Sequence, residues 1–262
     1  DVKKKSPQKT KMHNLGKALA EKLPLQLLPY PASFISSFLL ARAVFLGGSA
    51  PFGLSISAAL GASKFSLLGL LGSTLGYLSV FEKINSLKYI ACLILVFTAH
   101  FVFSGTSLVK KRYFVPLSVI IPATCINFVF LADGGFTVFD TALSVFEILI
   151  SAVSAAFLRT FRDTSSSSPV TLAGALLALS FGFCSSLSDI FVFNLISLGR
   201  ILALLLILLC ASRGNPGIGA ASGLILGASV SLSLASSEYG IIFGLCGILF
   251  ASFFRFSKFF AL

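Results

Sequence analysis

Residues 113–158 read YFVPLSVIIPATCINFVFLA, then DGG, then FTVFDTALSVFEILISAVSAAFL, and this stretch decides the fold. Two apolar runs, Tyr113–Ala132 and Phe136–Leu158, are separated by Asp133-Gly134-Gly135 alone. At 1.5 Å of rise per residue, each run as a helix covers the ~30 Å of a bilayer's hydrocarbon layer. Neither run alternates with the period of two that a membrane barrel strand needs. A backbone in hydrocarbon has to satisfy its own hydrogen bonds, which leaves the helix as the spanning element. Asp133-Gly134-Gly135 has the composition of a turn between two such helices.

The same alternation continues in both directions. Upstream lie Ala32–Leu46, Ser49–Ala62, Phe65–Phe81 and Tyr89–Leu108; downstream lie Val170–Leu187, Ile190–Ser212, Gly217–Ala235 and Tyr239–Phe254. Breaks such as Gly47-Gly48, Ser63-Lys64, Lys110-Lys111-Arg112, Arg159 through Pro169 and Arg213-Gly214-Asn215-Pro216 carry the residues that end helices. The expected fold is all-α: a polytopic transmembrane helical bundle of about ten segments. The first two runs have only 15 and 14 residues. They read either as two thin spans or as a surface helix followed by a re-entrant segment, with Pro31 and Pro51 suited to the helix beginnings.

Composition agrees. Of 262 residues, 56% are apolar and only 11% charged, with 28 Phe and no Trp. Mean hydropathy is +0.98. Such a chain has too little polar surface to cover itself in water, which excludes a soluble enzyme or a nucleic-acid-binding domain despite the net charge of +11. Residues 1–24 form a basic tail with seven Lys, suited to the cytoplasm and to anionic headgroups. Residues 25–258 read as the membrane domain, and 259–262 as the start of a cytoplasmic linker. With the tail inside and ten segments threaded alternately, nine further Lys and Arg fall on cytoplasmic loops and only Lys83 and Lys88 outside. The positive-inside rule therefore places both termini in the cytoplasm.

Four ionisable residues fall inside the predicted spans: Arg42, Asp140, Glu147 and Arg200. Charges at such positions pair or line polar cavities. Asp140 and Glu147 are two turns apart on one helix face. Counting inward from the outer end predicts two stacked ion pairs, Arg42 with Asp140 and Glu147 with Arg200; a proton or ion pathway is the competing reading. Glycines recur at helical spacing: Gly72 and Gly76, then Gly219, Gly223 and Gly227, then Gly240, Gly244 and Gly247. Small residues at this spacing let helix backbones approach closely in lipid. The pattern fits packing within one chain and lateral contacts in a homo-oligomer.

Chemistry-bearing motifs are lacking. The five Cys and two His follow no CxxC or HExxH spacing, each Cys reads as a small buried hydrophobe, and GNPGIGAASG is not a phosphate loop, since no Lys-Ser/Thr follows. Nothing points to a catalytic, metal or cofactor site in this chain.

Phe38-Leu39-Leu40-Ala41-Arg42-Ala43-Val44 followed by Ala50-Pro51-Phe52-Gly53-Leu54 resembles the opening of the membrane region of the stage II sporulation protein E family. The stretch Gly217–Leu224 with Gly227, then Tyr239-Gly240 and Gly244–Leu249, is similar to that family's last two glycine-rich segments. Ala41 stands where the family usually has Gly. Arg42, Pro51, Phe52 and Gly53 are the matching motif residues. The resemblance implies a ten-segment membrane anchor. A metal-dependent PP2C-type phosphatase domain, using manganese or magnesium, would follow beyond Leu262. It further implies localisation to the asymmetric sporulation septum of a bacterial cell membrane. Partners implied for the missing cytoplasmic domains are the tubulin-like division protein and an anti-anti-sigma factor. A small-solute transporter or channel is the reading from a different class, for which Pro116, Pro122 and the short first runs would supply broken helices.

Overall fold

The computed structural model describes residues 29–46, 48–161, 169–192, 196–212, 216–236 and 238–260. The basic tail, the Arg213-Gly214-Asn215 break and residues 261–262 lie outside the described residues. The described residues form ten α-helices: α1 Pro29–Ala41, α2 Pro51–Leu60, α3 Ser66–Val80, α4 Lys83–Val102, α5 Phe114–Gly134, α6 Val138–Leu158, α7 Pro169–Ser186, α8 Leu198–Ala211, α9 Pro216–Leu234 and α10 Glu238–Phe260. Each predicted run overlaps one helix. Helix α10 runs through Phe260.

Helices α4, α5, α6 and α9 are long and apolar enough to cross a membrane. The molecule's outer face is oily: Val138 is 88% exposed, Phe253 78% and Ile84 73%. In water such a surface would drive aggregation. It is the surface of a membrane protein.

Helices α1 and α2 form a hairpin in the middle of the bundle. Their lengths, about 20 and 15 Å at 1.5 Å per residue, fall short of a full span. Both outer ends lie together, because Tyr30 at the start of α1 meets Phe65 beyond α2 edge-on at 4.7 Å. The tip, between Arg42 and Ala50, is folded inward, with Ala43 and Ala50 wholly buried and Phe45 and Ser49 at 2%. Phe45 and Ser49 bridge across it, and the Leu46 amide donates to the Leu232 carbonyl of α9.

Two cores flank the hairpin. Tyr77, Tyr89, Cys92, Leu93, Val96, Val115 and Val119 from α3, α4 and α5 pack on Leu54 and Ala58 of α2. Cys184, Ala203, Ile207, Leu226, Val230 and Phe243 join α7 to α10. Between them, Phe45 and Phe52 of the hairpin pack with Phe181 of α7 at ring separations of 5.4–5.8 Å.

The eighth run holds the main departure from expectation. In its first part, Phe191–Val192 pairs antiparallel with Ile196–Ser197, and α8 begins only at Leu198. Phe, Val and Ile suit a strand as well as a buried helix, so an apolar run alone does not separate the two.

Candidate functional site

The polar centre of the molecule is built around the hairpin tip. Pro51 opens α2 at a position where its fixed φ suits a helix and its missing N–H is no loss. The preceding Ala50 has no side chain with which to cap the helix, so neighbouring helices satisfy its backbone instead. The Ala50 amide donates to Tyr89 Oη at 3.1 Å and to Glu147 Oε1 at 3.4 Å. Tyr77 Oη donates to the Ala50 carbonyl at 2.9 Å, and Tyr89 Oη donates to the Gly48 carbonyl at 3.0 Å. Ser151 of α6 donates to the Pro51 carbonyl at 3.3 Å, while Ser55 of α2 donates to the Ser151 carbonyl at 2.9 Å. A buried irregular backbone is tolerable in a membrane only when its groups are paired in this way.

Gly53 is fixed by the same clamp. A Cβ at this position would lie 2.5 Å from Tyr77 Oη and 2.9 Å from the Ala41 Cβ. The four motif residues therefore occupy one place: Arg42 begins the tip, Pro51 starts α2, Phe52 fills the aromatic cluster, and Gly53 admits the tyrosine.

Glu147, on the third turn of α6, has a side chain only 3% exposed and sits against the amino end of α2, whose dipole favours a negative charge. Its Oε2 lies 3.2 Å from Lys88 Nζ, which also stands 5.1 Å over the Tyr89 ring. These groups floor a cleft of about 240 Å³ that reaches the α5–α6 turn at Gly134 and Gly135 and is also lined by Gly48, Asn127 and Asp140. Asn127 is 4% exposed, and its carboxamide oxygen makes no hydrogen bond among the described residues. A second cavity of about 640 Å³, near the opposite end of α2, is lined mainly by apolar groups, including Ile56, Leu158, Leu179 and Phe183.

The predicted ion pairs are both corrected. Glu147 pairs with Lys88 rather than Arg200. Because α8 begins at Leu198, after the strand pair Phe191–Val192 and Ile196–Ser197, Arg200 is the third residue of α8, whereas Glu147 is the tenth of α6. Arg200 instead lies over the Tyr239 ring at 4.5 Å. Asp140 belongs to the start of its own helix: Thr137 Oγ1 accepts from the Asp140 amide at 3.1 Å and donates to its carboxylate. Arg42, one residue beyond α1, stacks on Phe38 at 5.7 Å. Its electrostatic neighbour is Asp189, in the turn after α7, whose carboxyl is raised by partial burial and pulled back down by Arg42.

The glycines work within the chain. Gly72 faces the Phe34 carbonyl, and a Cβ on Gly76 would lie 2.6 Å from the Phe38 carbonyl, so this face seats α3 on α1. Gly219 and Gly247 face each other's backbones across α9 and α10, Gly223 meets the Phe243 carbonyl, and a Cβ on Gly227 would lie 2.6 Å from the Tyr239 carbonyl. Gly244 stands against the Leu224 side chain instead, and Gly240 has nothing closer than 3.9 Å.

Sequence reading missed Lys88, Tyr77, Tyr89 and Asn127. Lys88 interrupts the apolar pattern and so reads as an outer-loop residue, yet α4 starts at Lys83 and carries it inward. The signal was available in Ile84, Leu87 and Ala91, apolar at helical spacing around Lys88. Among the described residues no three His, Cys, Asp or Glu side chains converge as a metal site would require. Comparison with protein-family models, curated proteins and solved structures gives no match to this chain.

Proposed function

We propose that this chain is the multi-pass membrane anchor and assembly module of a phosphatase similar to stage II sporulation protein E. In this reading it lies in a bacterial cell membrane at the sporulation septum with both termini in the cytoplasm. The catalytic domain and its partners, the tubulin-like division protein and the anti-anti-sigma factor, belong to the cytoplasmic portion of the parent. One observation carries the reading: the residues of the resemblance, Arg42, Pro51, Phe52 and Gly53, gather at the clamped centre of the bundle. A motif confined to the fixed core suits a scaffold that holds a shape.

The test is replacement. In a sporulating bacterium whose own stage II sporulation protein E lacks its membrane region, this chain is fused to the cytoplasmic portion of that protein. A fluorescent tag should then mark the polar septum and spore formation should return. Even labelling of the whole membrane without spore formation would overturn the proposal.

A second reading, a small-solute transporter or channel, is favoured by the buried hairpin tip beside an ion pair. Discontinuous helices with paired charges are the building material of many transporter sites. Solute flux in reconstituted vesicles that vanishes in Glu147→Gln would select it over the anchor.

A further inference from the structure

We infer that the cleft between α4, α5 and α6 is a binding site for a compact monovalent cation, recognised by oxygen atoms at Glu147 and Asn127. The lining carries the carboxylates of Asp140 and Glu147 against the single ammonium of Lys88, so it is one charge negative in a chain whose net charge is +11. Coulomb attraction at such a site grows as water is excluded. Glu147 and Asn127 are both nine-tenths or more buried, which limits what bulk water can offer them. The Asn127 carboxamide oxygen is a buried acceptor with no donor among the described residues. A buried acceptor left unpaired is costly, and a cation or a charged N–H group satisfies it.

Lys88 shows which ligand the geometry accepts. Its ammonium sits 3.2 Å from a carboxylate oxygen and 5.1 Å over a tyrosine face, the pairing by which proteins hold ammonium groups. At 17% exposure and on a flexible stem, it can swing toward the cleft mouth and surrender Glu147 to a free cation. With about 240 Å³ the cleft admits methylammonium, sodium or potassium, all of which share the same oxygen-seeking chemistry. The inference stands apart from the anchoring role, since a structural cation site and a transport site would look alike here.

The experiment uses the full chain purified in detergent. Thermal midpoints are recorded against sodium, potassium, methylammonium and tetraethylammonium chlorides at constant ionic strength, with equilibrium dialysis of radiolabelled methylammonium alongside. At least one compact cation should raise the midpoint saturably, while tetraethylammonium, which keeps its charge away from oxygen, should not. Lys88→Met, freed of its internal competitor, should bind that cation at least tenfold more tightly, and Asn127→Leu at least fivefold more weakly. Equal curves for all four salts would mean screening alone and overturn the inference, as would an Asn127→Leu chain that folds and binds unchanged. Should Lys88→Met fail to fold, saturable binding of sodium, potassium or methylammonium to the wild-type chain, or its absence, decides the matter.

Discussion

Tyr77 and Tyr89 stack face to face, ring centroids 4.6 Å apart and planes 16° from parallel, and they divide the hairpin tip between them. Tyr77 holds the Ala50 carbonyl and Tyr89 the Gly48 carbonyl. Phe81 continues the stack at 5.0 Å from Tyr89. One aromatic pillar from α3 and α4 thereby supplies both the packing and the hydrogen bonds that let an irregular backbone lie inside the bundle.

Removing one hydroxyl from this pillar should be costly without changing its shape. Tyr77→Phe removes the hydroxyl that donates to the Ala50 carbonyl at the start of α2, a loss of about 0.5–1.5 kcal/mol. Tyr89→Phe should lose a similar amount. Both hydroxyls bond the backbone of Ala50, so the double variant should depart from additivity. Unfolding in mixed micelles by sodium dodecyl sulfate, followed by circular dichroism, measures all three. Wild-type stability in both single variants would show that the hydroxyls do not hold the tip.

The ion pair yields an asymmetric prediction. Glu147→Gln or Lys88→Met alone breaks a partly buried pair, and losses of about 3–5 kcal/mol are usual when one charge is left without its partner. Lys88 retains some access to water, so its loss should fall toward the lower end. The double variant Lys88→Met/Glu147→Met should be more stable than either single one, because no charge is stranded. Conversely, exchanging charges between Glu147 and Arg200, or between Arg42 and Asp140, should rescue nothing. The same micelle titration provides the measurement.

Gly223 and Gly227 of α9 press on the backbone of α10, whereas Gly240 has no close neighbour. Gly223→Ala forces a Cβ onto the Phe243 carbonyl, and Gly227→Ala brings one to 2.6 Å from the Tyr239 carbonyl; both should spread α9 from α10. Overpacking of this kind typically loses about 1–3 kcal/mol. Gly240→Ala meets nothing closer than 3.9 Å and should be neutral or slightly stabilising, since glycine in a helix is about 0.5–1 kcal/mol worse than alanine. A uniform response at all three positions would count against the α9–α10 contact described.

The helices were legible because long apolar runs and their Gly, Pro and Lys breaks are strong signals in a lipid-solvated chain. The glycine spacing marked faces suited to close helix approach but not their partner, which proves to be α10 for α9 and α1 for α3. What escaped was lateral and vertical placement. Glu147 could be recognised as a buried charge needing a partner, but its partner depends on where α4 and α8 begin. Lys83–Lys88 reads as polar although it is helix, and Phe191–Val192 and Ile196–Ser197 read as helix although they pair as strands. Two boundary shifts of six to eight residues were therefore enough to exchange Lys88 for Arg200. Tyr77 and Tyr89 carry no sequence mark that distinguishes a clamp from ordinary core.

Asp189 offers a test in the acid range. Its carboxyl is raised by partial burial, with Arg42 opposing the rise. A carboxyl with a higher pKa when folded than when unfolded holds its proton preferentially in the folded chain. Its contribution to stability is thus fully present below the ordinary carboxylate value and is lost as pH rises through the raised one. Removing the guanidinium in Arg42→Gln takes away the opposing influence and should shift the carboxyl higher, extending that loss to higher pH. Asp189→Asn should flatten this part of the stability profile and leave Arg42→Gln without further effect on it. Thermal midpoints of wild type, both single variants and the double variant between about pH 4 and 7, the range around and above the ordinary carboxylate value, give the comparison. Identical profiles for wild type and Arg42→Gln would show that the two side chains do not sense each other.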